Sequence, residues 1–358
     1  KRVLFYKAAI IIGNRNHKIM HSVTQDKITR CLALLVVIFG TFTGFADPVS
    51  AQCCAVGSGN PLASDVSQST LVCRQFEINT NYQAVSSSKF LHYAEPDTLF
   101  MKHFSSNYLY TRISYGITNA FTFSLESGYW INKSQIGLNN ADTIRTSGIS
   151  DIVLFPRYNL IHRKNFELTA GLGLKIPVGE YADSIGRVEP FSGQTIYYTK
   201  SPALQASTGS NDFILNVFCV KKFKSGTWRL FANTIYILKG WNPNGEKFGD
   251  YASLSIFAGK SFGPRLNVLL HTRFEWMGMM KINPVVGMMG TYDYDPKATG
   301  SKKIFIVPQV NYMLTKNISV YLLSEISVYQ YVNKTQIASQ FQLTTGLSWR
   351  FSLPDKKI

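Results

Sequence analysis

Three residues at alternate positions, His271, Arg273 and Glu275, place an imidazole, a guanidinium and a carboxylate on one side of an extended chain, with about 7 Å between successive groups. Such a stack serves either as one rung of an internal salt-bridge network or as a constriction that a passing solute must touch, with the imidazole able to titrate near neutrality. Equivalent positions in other segments carry the cations Arg112, Arg157, Lys175, Arg229 and Arg350, and the carboxylates Glu77, Glu126, Asp151, Glu167 and Glu325. The two signs nearly balance. A strongly selective pore carries rings of one sign, so the balance argues against strict anion or cation selection.

Enzymatic chemistry is not expected. After residue 51 the histidines are His92, His103, His162 and His271, and no nucleophile is arranged with any of them, so a hydrolase would lack its base and nucleophile pair. Two adjacent thiols, Cys53 and Cys54, do not close a tetrahedral metal site, and no metal or cofactor is predicted. These cysteines could acquire a lipid, pair with Cys73, or remain inert thiols.

The elements that must hold these groups follow from composition and pattern. The chain of 358 residues is 45% hydrophobic and 13% aromatic but only 16% charged. It is too apolar for disorder, and beyond the N-terminus no uninterrupted apolar run reaches the ~18 residues that a spanning helix needs. The remaining structure that closes its backbone hydrogen bonds within lipid is the β-barrel. The formal charge of +16 falls to +11 beyond residue 51, because seven of the 37 Lys and Arg and two of the 21 acids precede that point. The excess is dispersed and forms no nucleic-acid motif, so no nucleic-acid partner is expected.

The stretch Cys31 to Ala46, behind Lys27 and Arg30 and ahead of Val49-Ser50-Ala51, reads as a signal peptide. We therefore expect an over-extended reading frame over 1–19, a signal peptide over 20–51 and a flexible periplasmic segment or plug over 52–69. A barrel over 70–351 and a periplasmic tail over 352–358 complete the organisation. Within the barrel, twelve segments alternate apolar and polar residues: 70–83, 105–117, 121–132, 149–161, 166–177, 211–222, 227–239, 249–261, 265–276, 303–314, 318–331 and 337–351. Short connections such as Thr118-Asn119-Ala120 and Thr315-Lys316-Asn317 alternate with long ones, the pattern of periplasmic turns and extracellular loops. The fold class is thus an all-β, transmembrane, antiparallel barrel of about twelve strands in the outer membrane of a Gram-negative bacterium. A soluble β-sandwich would not combine long strands, this loop order and outward aromatics.

Alternation also assigns faces. Phe166, Leu168, Ala170, Leu172, Leu174 and Ile176 suit lipid, whereas Glu167, Thr169, Gly171, Gly173 and Lys175 suit a polar lumen. The inner glycines Gly116, Gly128, Gly171, Gly173, Gly259 and Gly346 are expected to leave room beside the charges. Pro156 and Pro308 fall on the lipid face and predict bulges or kinks. An aromatic-ended last strand, Phe341 to Phe351, points to the outer-membrane assembly machinery as a partner. Loops 178–210 (Tyr181, Phe191, Tyr197, Tyr198) and 277–302 (Met277, Met279, Met280, Met288, Met289, Tyr292, Tyr294) are adaptable surfaces suited to an apolar solute or to capping the lumen.

Three stretches carry a resemblance: Gly148-Ile149-Ser150-Asp151-Ile152-Val153-Leu154 running into Pro156-Arg157-Tyr158-Asn159-Leu160, then Leu168 to Lys175 leading into Ile176-Pro177-Val178-Gly179, and finally Thr345-Gly346-Leu347-Ser348-Trp349-Arg350-Phe351. Together they resemble the outer-membrane transporters of the phenol-degradation meta-pathway type. The resemblance implies a passive channel for uptake or efflux of small, hydrophobic or aromatic compounds. A non-transporting barrel with a structural, adhesive or assembly role is the alternative.

Overall fold

The computed structural model describes residues 69–97, 101–137, 143–188, 191–223, 227–284 and 295–354. The expected reading-frame extension, signal peptide and residues 52–68 of the N-terminal segment lie outside the described residues, as do residues 355–358 of the tail. Twelve strands make the wall: β1 (Gln75–Ser87), β2 (His103–Gly116), β3 (Phe121–Ile136), β4 (Thr143–Ile149, continued as Ile152–Arg163), β5 (Phe166–Ile176) and β6 (Asp212–Phe223) form its first half. The second half is β7 (Trp228–Leu238), β8 (Tyr251–Phe262), β9 (Leu266–Met277), β10 (Ser301–Met313), β11 (Ile318–Val332) and β12 (Phe341–Ser352). Each strand pairs antiparallel with the next, and β12 pairs with β1 from Gln75 opposite Ser352 to Ser86 opposite Phe341, so the sheet closes on itself, with Thr143–Ile149 of β4 rising above the closure and paired on one side.

Alternating burial shows which residues face the lipid. Along β5, Thr169, Gly171, Gly173 and Lys175 are buried while Leu172 is 64% exposed, as the apolar and polar parity requires. Two periplasmic turns use one device. The Oγ1 of Thr118 accepts from the N–H groups of Ala120 and Phe121, and that of Thr315 accepts from those of Asn317 and Ile318, so each turn satisfies donors that the ladder leaves behind. Both outward prolines interrupt one neighbouring ladder, because a proline has no N–H to donate. The pairing of β4 with β5 skips Phe155 and Pro156, and that of β10 with β11 skips Val307 and Pro308.

Several boundaries differ from those read in the sequence. β1 begins at Gln75 rather than at 70, since Arg74 takes a φ of 65° and ends the extended run, while the Leu71 N–H is held by Thr122 Oγ1 at 2.8 Å. β12 begins at Phe341 rather than at 337, because Thr335–Ile337 pairs instead with Phe90–His92 in a small sheet on the extracellular side. β4 begins at Thr143 and breaks at Ser150–Asp151, with Ser150 N–H still bonded to the carbonyl of Gly128 at 2.8 Å.

Candidate functional site

The lumen is lined by two walls of opposite chemistry. On one side, β1 to β4 and β9 to β12 turn charged groups inward. Arg112, Arg157, Arg273, Glu126, Glu275, Glu325, Asp151 and His271 are buried there and Arg350 is exposed at the periplasmic rim, whereas Lys175, buried, and Glu167, half-buried, stand on β5, and the half-buried Arg229 stands on β7. The structure gives these groups definite partners. Arg273 grips both oxygens of Glu325, through Nη1 at 2.8 Å and through Nη2, while its Nε lies 3.7 Å from Glu275, which also accepts from the Tyr251 hydroxyl at 3.0 Å. Glu77 takes Arg112 at 3.0 Å and also Arg350, and Arg157 donates to Ser124 at 2.8 Å. Bidentate and charge-assisted bonds of this kind are the ones that repay the cost of taking ions out of water. His271 separates from its neighbours: its ring packs edge-on against Phe257, with centroids 4.0 Å apart, so the stack of three divides into an ionic rung and an aromatic contact.

The other wall, β6 to β8, turns apolar groups inward, which the sequence reading did not single out. Ile214, Phe218 and Val220 on β6, Phe231, Ile235 and Ile237 on β7, and Tyr251 and Phe257 on β8 are all buried. They form two clusters, Phe155, Ile214, Ile235, Ile237 and Tyr251 on the extracellular side, and Phe218, Val220, Phe231, Phe257 and Leu269 on the periplasmic side. Between them lies a polar rung in which Asn216 Nδ2 donates to Asn233 Oδ1 at 2.6 Å. The signal available in the sequence was the run Phe213 to Val220, apolar at nearly every position, which means that both faces of the strand are apolar.

Two chambers open among the described residues. The extracellular one, of about 240 Å³, is lined by Tyr108, Tyr110, Trp130, Tyr251, Met277 and Met280, together with Asp151, Lys175, Asp212 and Lys239. The four ions form a chain: Lys175 reaches Asp151 at 2.6 Å and Asp212 at 2.9 Å, and Lys239 reaches Asp212 at 2.9 Å. Its roof is residues 202–208 of the third long loop, folded inward and fastened to side chains of the wall through two backbone carbonyls and one hydroxyl. Trp130 Nε1 donates to the Ala206 carbonyl at 3.0 Å, Lys133 Nζ to the Gln205 carbonyl at 2.6 Å, and Lys175 Nζ to Thr208 Oγ1. Leu204 is fully buried against Val85, Phe90, Met101 and Phe104. Capping therefore falls to this segment, whereas Phe191, Tyr197 and Tyr198 of the same loop are exposed on a hairpin and its approach. Of the methionine-rich loop, Met277 and Met280 line the chamber, and Met288, Met289, Tyr292 and Tyr294 lie outside the described residues.

The periplasmic chamber, of about 420 Å³, is lined by the apolar Val220, Phe231 and Leu269, by Lys222 and Arg229 one rung below Val220 and Phe231, and by Asn79, Glu167 and Arg350. Between the two chambers Arg112, Arg157, Arg273, Phe155, Phe218, Phe257 and Phe305 are fully buried, so side chains fill the middle of the lumen. Most inner glycines provide less room than expected. A Cβ on Gly128 would lie 2.2 Å from the Tyr108 hydroxyl, and one on Gly346 2.3 Å from the Tyr321 ring, because an aromatic ring covers each; Gly171 and Gly173 are covered by Phe155. Gly259 alone among these lines an open chamber.

No protein-family model matches the sequence, and no curated protein matches it. Solved structures do resemble it. The outer membrane channel from Pseudomonas putida F1 superposes with a TM-score of 0.60 at 15% identity, over 80% of this chain and 99% of that one. The β domain of the Bordetella autotransporter BrkA gives 0.45 at 10% identity, over 78% and 100%, and a Pseudomonas aeruginosa FadL homologue gives 0.41 at 11%, over 78% and 90%. With the lipid-facing apolar belt and the closed sheet, the first of these likenesses establishes the fold: the chain is a membrane-spanning, twelve-stranded antiparallel β-barrel.

Proposed function

We propose that the protein is a passive channel in the outer membrane of a Gram-negative bacterium, carrying small, hydrophobic or aromatic compounds. The carrying observation is the apolar inner wall, whose two clusters join the aromatic- and methionine-lined extracellular chamber to the periplasmic one. The extracellular chamber exceeds the ~150 Å³ at which an apolar cavity admits a benzene ring. Passage requires the filled middle of the lumen to rearrange, a side-chain and loop motion rather than a change of fold. That same filling favours a second reading, a barrel that conducts nothing and acts as a structural, adhesive or assembly partner. Reconstitution into planar bilayers separates the two. A channel should give discrete conductance steps and let liposomes swell in small apolar or aromatic solutes; silence in both assays would leave the non-transporting reading standing.

A further inference from the structure

We propose that the periplasmic chamber binds a small organic carboxylate with an apolar body, and that Arg229 reads the carboxylate. This rests on the channel reading for its biological sense, but not for its geometry. In the register of β6 with β7, Lys222 stands directly opposite Arg229, and the next inward pair is Val220 opposite Phe231. Like charges directly opposite one another destabilise a sheet unless something negative lies between them. Glu167 supplies that for Lys222, at 2.7 Å, and Arg350 on the far side is held by Glu77. Arg229 has no carboxylate partner among the described residues. Its Nη2 donates to Ser261 Oγ at 2.7 Å and to Asn267 Oδ1 at 2.8 Å, two neutral acceptors that fix the guanidinium plane. An arginine offers five donors in a planar fork matched to a carboxylate, and this one has committed a single nitrogen.

The space beside that fork is shaped for more than an inorganic ion. Arg229 is paired on its other side with Gly259, which itself pairs with Leu269, so no side chain fills the wall next to the guanidinium. A Cβ at Gly259 would meet Leu269 at 3.3 Å and Phe231 at 3.5 Å, so the vacated volume is bounded by apolar surface. A ligand with its carboxylate on Arg229 would rest its body on Val220, Phe231 and Leu269, the cluster that continues up the apolar wall.

Fluorine NMR of the detergent-purified full barrel tests this, with 4-fluorobenzoate as the probe and 4-fluorobenzamide and fluoroacetate as comparisons. Saturable 4-fluorobenzoate binding is expected, with weaker binding of the isosteric neutral amide and of fluoroacetate. Arg229→Gln should weaken 4-fluorobenzoate about 10- to 100-fold, the scale of one charge-assisted contact. Gly259→Leu should weaken it by filling the gap, whereas Arg187→Gln on the exposed hairpin should leave it unchanged. Each variant is compared after heat-modifiable gel mobility shows a folded barrel. Equal binding of amide and acid, or undiminished binding by folded Arg229→Gln, overturns the proposal, as does fluoroacetate binding as tightly as 4-fluorobenzoate. Binding without conductance in bilayers would sink the channel reading and leave the site; conductance without binding would do the reverse.

Discussion

The wall of β1 to β4 and the wall of β6 to β8 enclose one lumen and are held in place by different physics. The first is pinned by directional bonds, such as Arg112 to Glu77, Arg157 to Ser124 and Tyr110 to Glu126, each of which fixes a side chain at one angle. The two apolar clusters of the second are packed by contact, with the Asn216 and Asn233 pair between them and Tyr251 tied to Glu275, and their phenylalanine rings can slide or rotate without leaving a charge stranded. The comparison teaches that rigidity and compliance fall to different sides of the barrel, which is the division the proposed channel requires. The polar side sets the diameter, and the apolar side supplies the surface that has to yield.

The largest effect that would sharpen this contrast is expected from the ionic rung. Arg273→Ala leaves Glu325 buried with its bidentate partner gone, and the barrel should lose about 3–5 kcal/mol, read as an earlier transition in urea unfolding from lipid vesicles. A variant that unfolds as the parent does would refute the pinning role. On the apolar side, Ile235→Ala should cost roughly 2–4 kcal/mol and also raise conductance, because the hole opens within the extracellular cluster next to the Asn216 and Asn233 rung. An equal loss of stability with unaltered conductance would mean that the apolar wall is core and not route. The smallest effect belongs to the roof. Thr208→Val removes the hydroxyl that receives Lys175 and should cost about 1 kcal/mol or less, while increasing the fraction of time the channel is open in single-channel records.

Much of the fold was legible because a membrane strand must write its two faces into alternate residues. The order of short and long connections then supplied the closure. What alternation cannot state is the partner of a short strand. Ile337 and Ala338 continue the pattern of β12, yet residues 335–337 pair with Phe90–His92 outside the wall. It also cannot rank two apolar faces. Phe213, Leu215 and Val217 face lipid while Ile214, Phe218 and Val220 face the lumen, and either parity would have satisfied the composition. The charge balance read along the whole chain was true as a sum and hid a local imbalance, since Lys222 and Arg229 meet across one rung and Lys222 escaped notice beside Lys221. Asp212 and Lys239, which complete the ion chain of the extracellular chamber, escaped for a similar reason: Asp212 opens β6 and Lys239 follows the last residue of β7, where facing is set by the loop.

The upper part of β4, Thr143–Ile149, is laddered to β3 on one side only. Standing above the closed sheet, it is the sort of flank on which a second polypeptide could grow a strand, a route to aberrant clustering of barrels in a crowded membrane. Lys200 reaches across from the third long loop and donates to the Arg145 carbonyl at 2.8 Å and to Thr146 Oγ1 at 3.2 Å, spending an acceptor that an intruding strand would need. The loop that roofs the extracellular chamber therefore also acts as a guard against self-association, and shortening it to widen the mouth would expose a sticky flank.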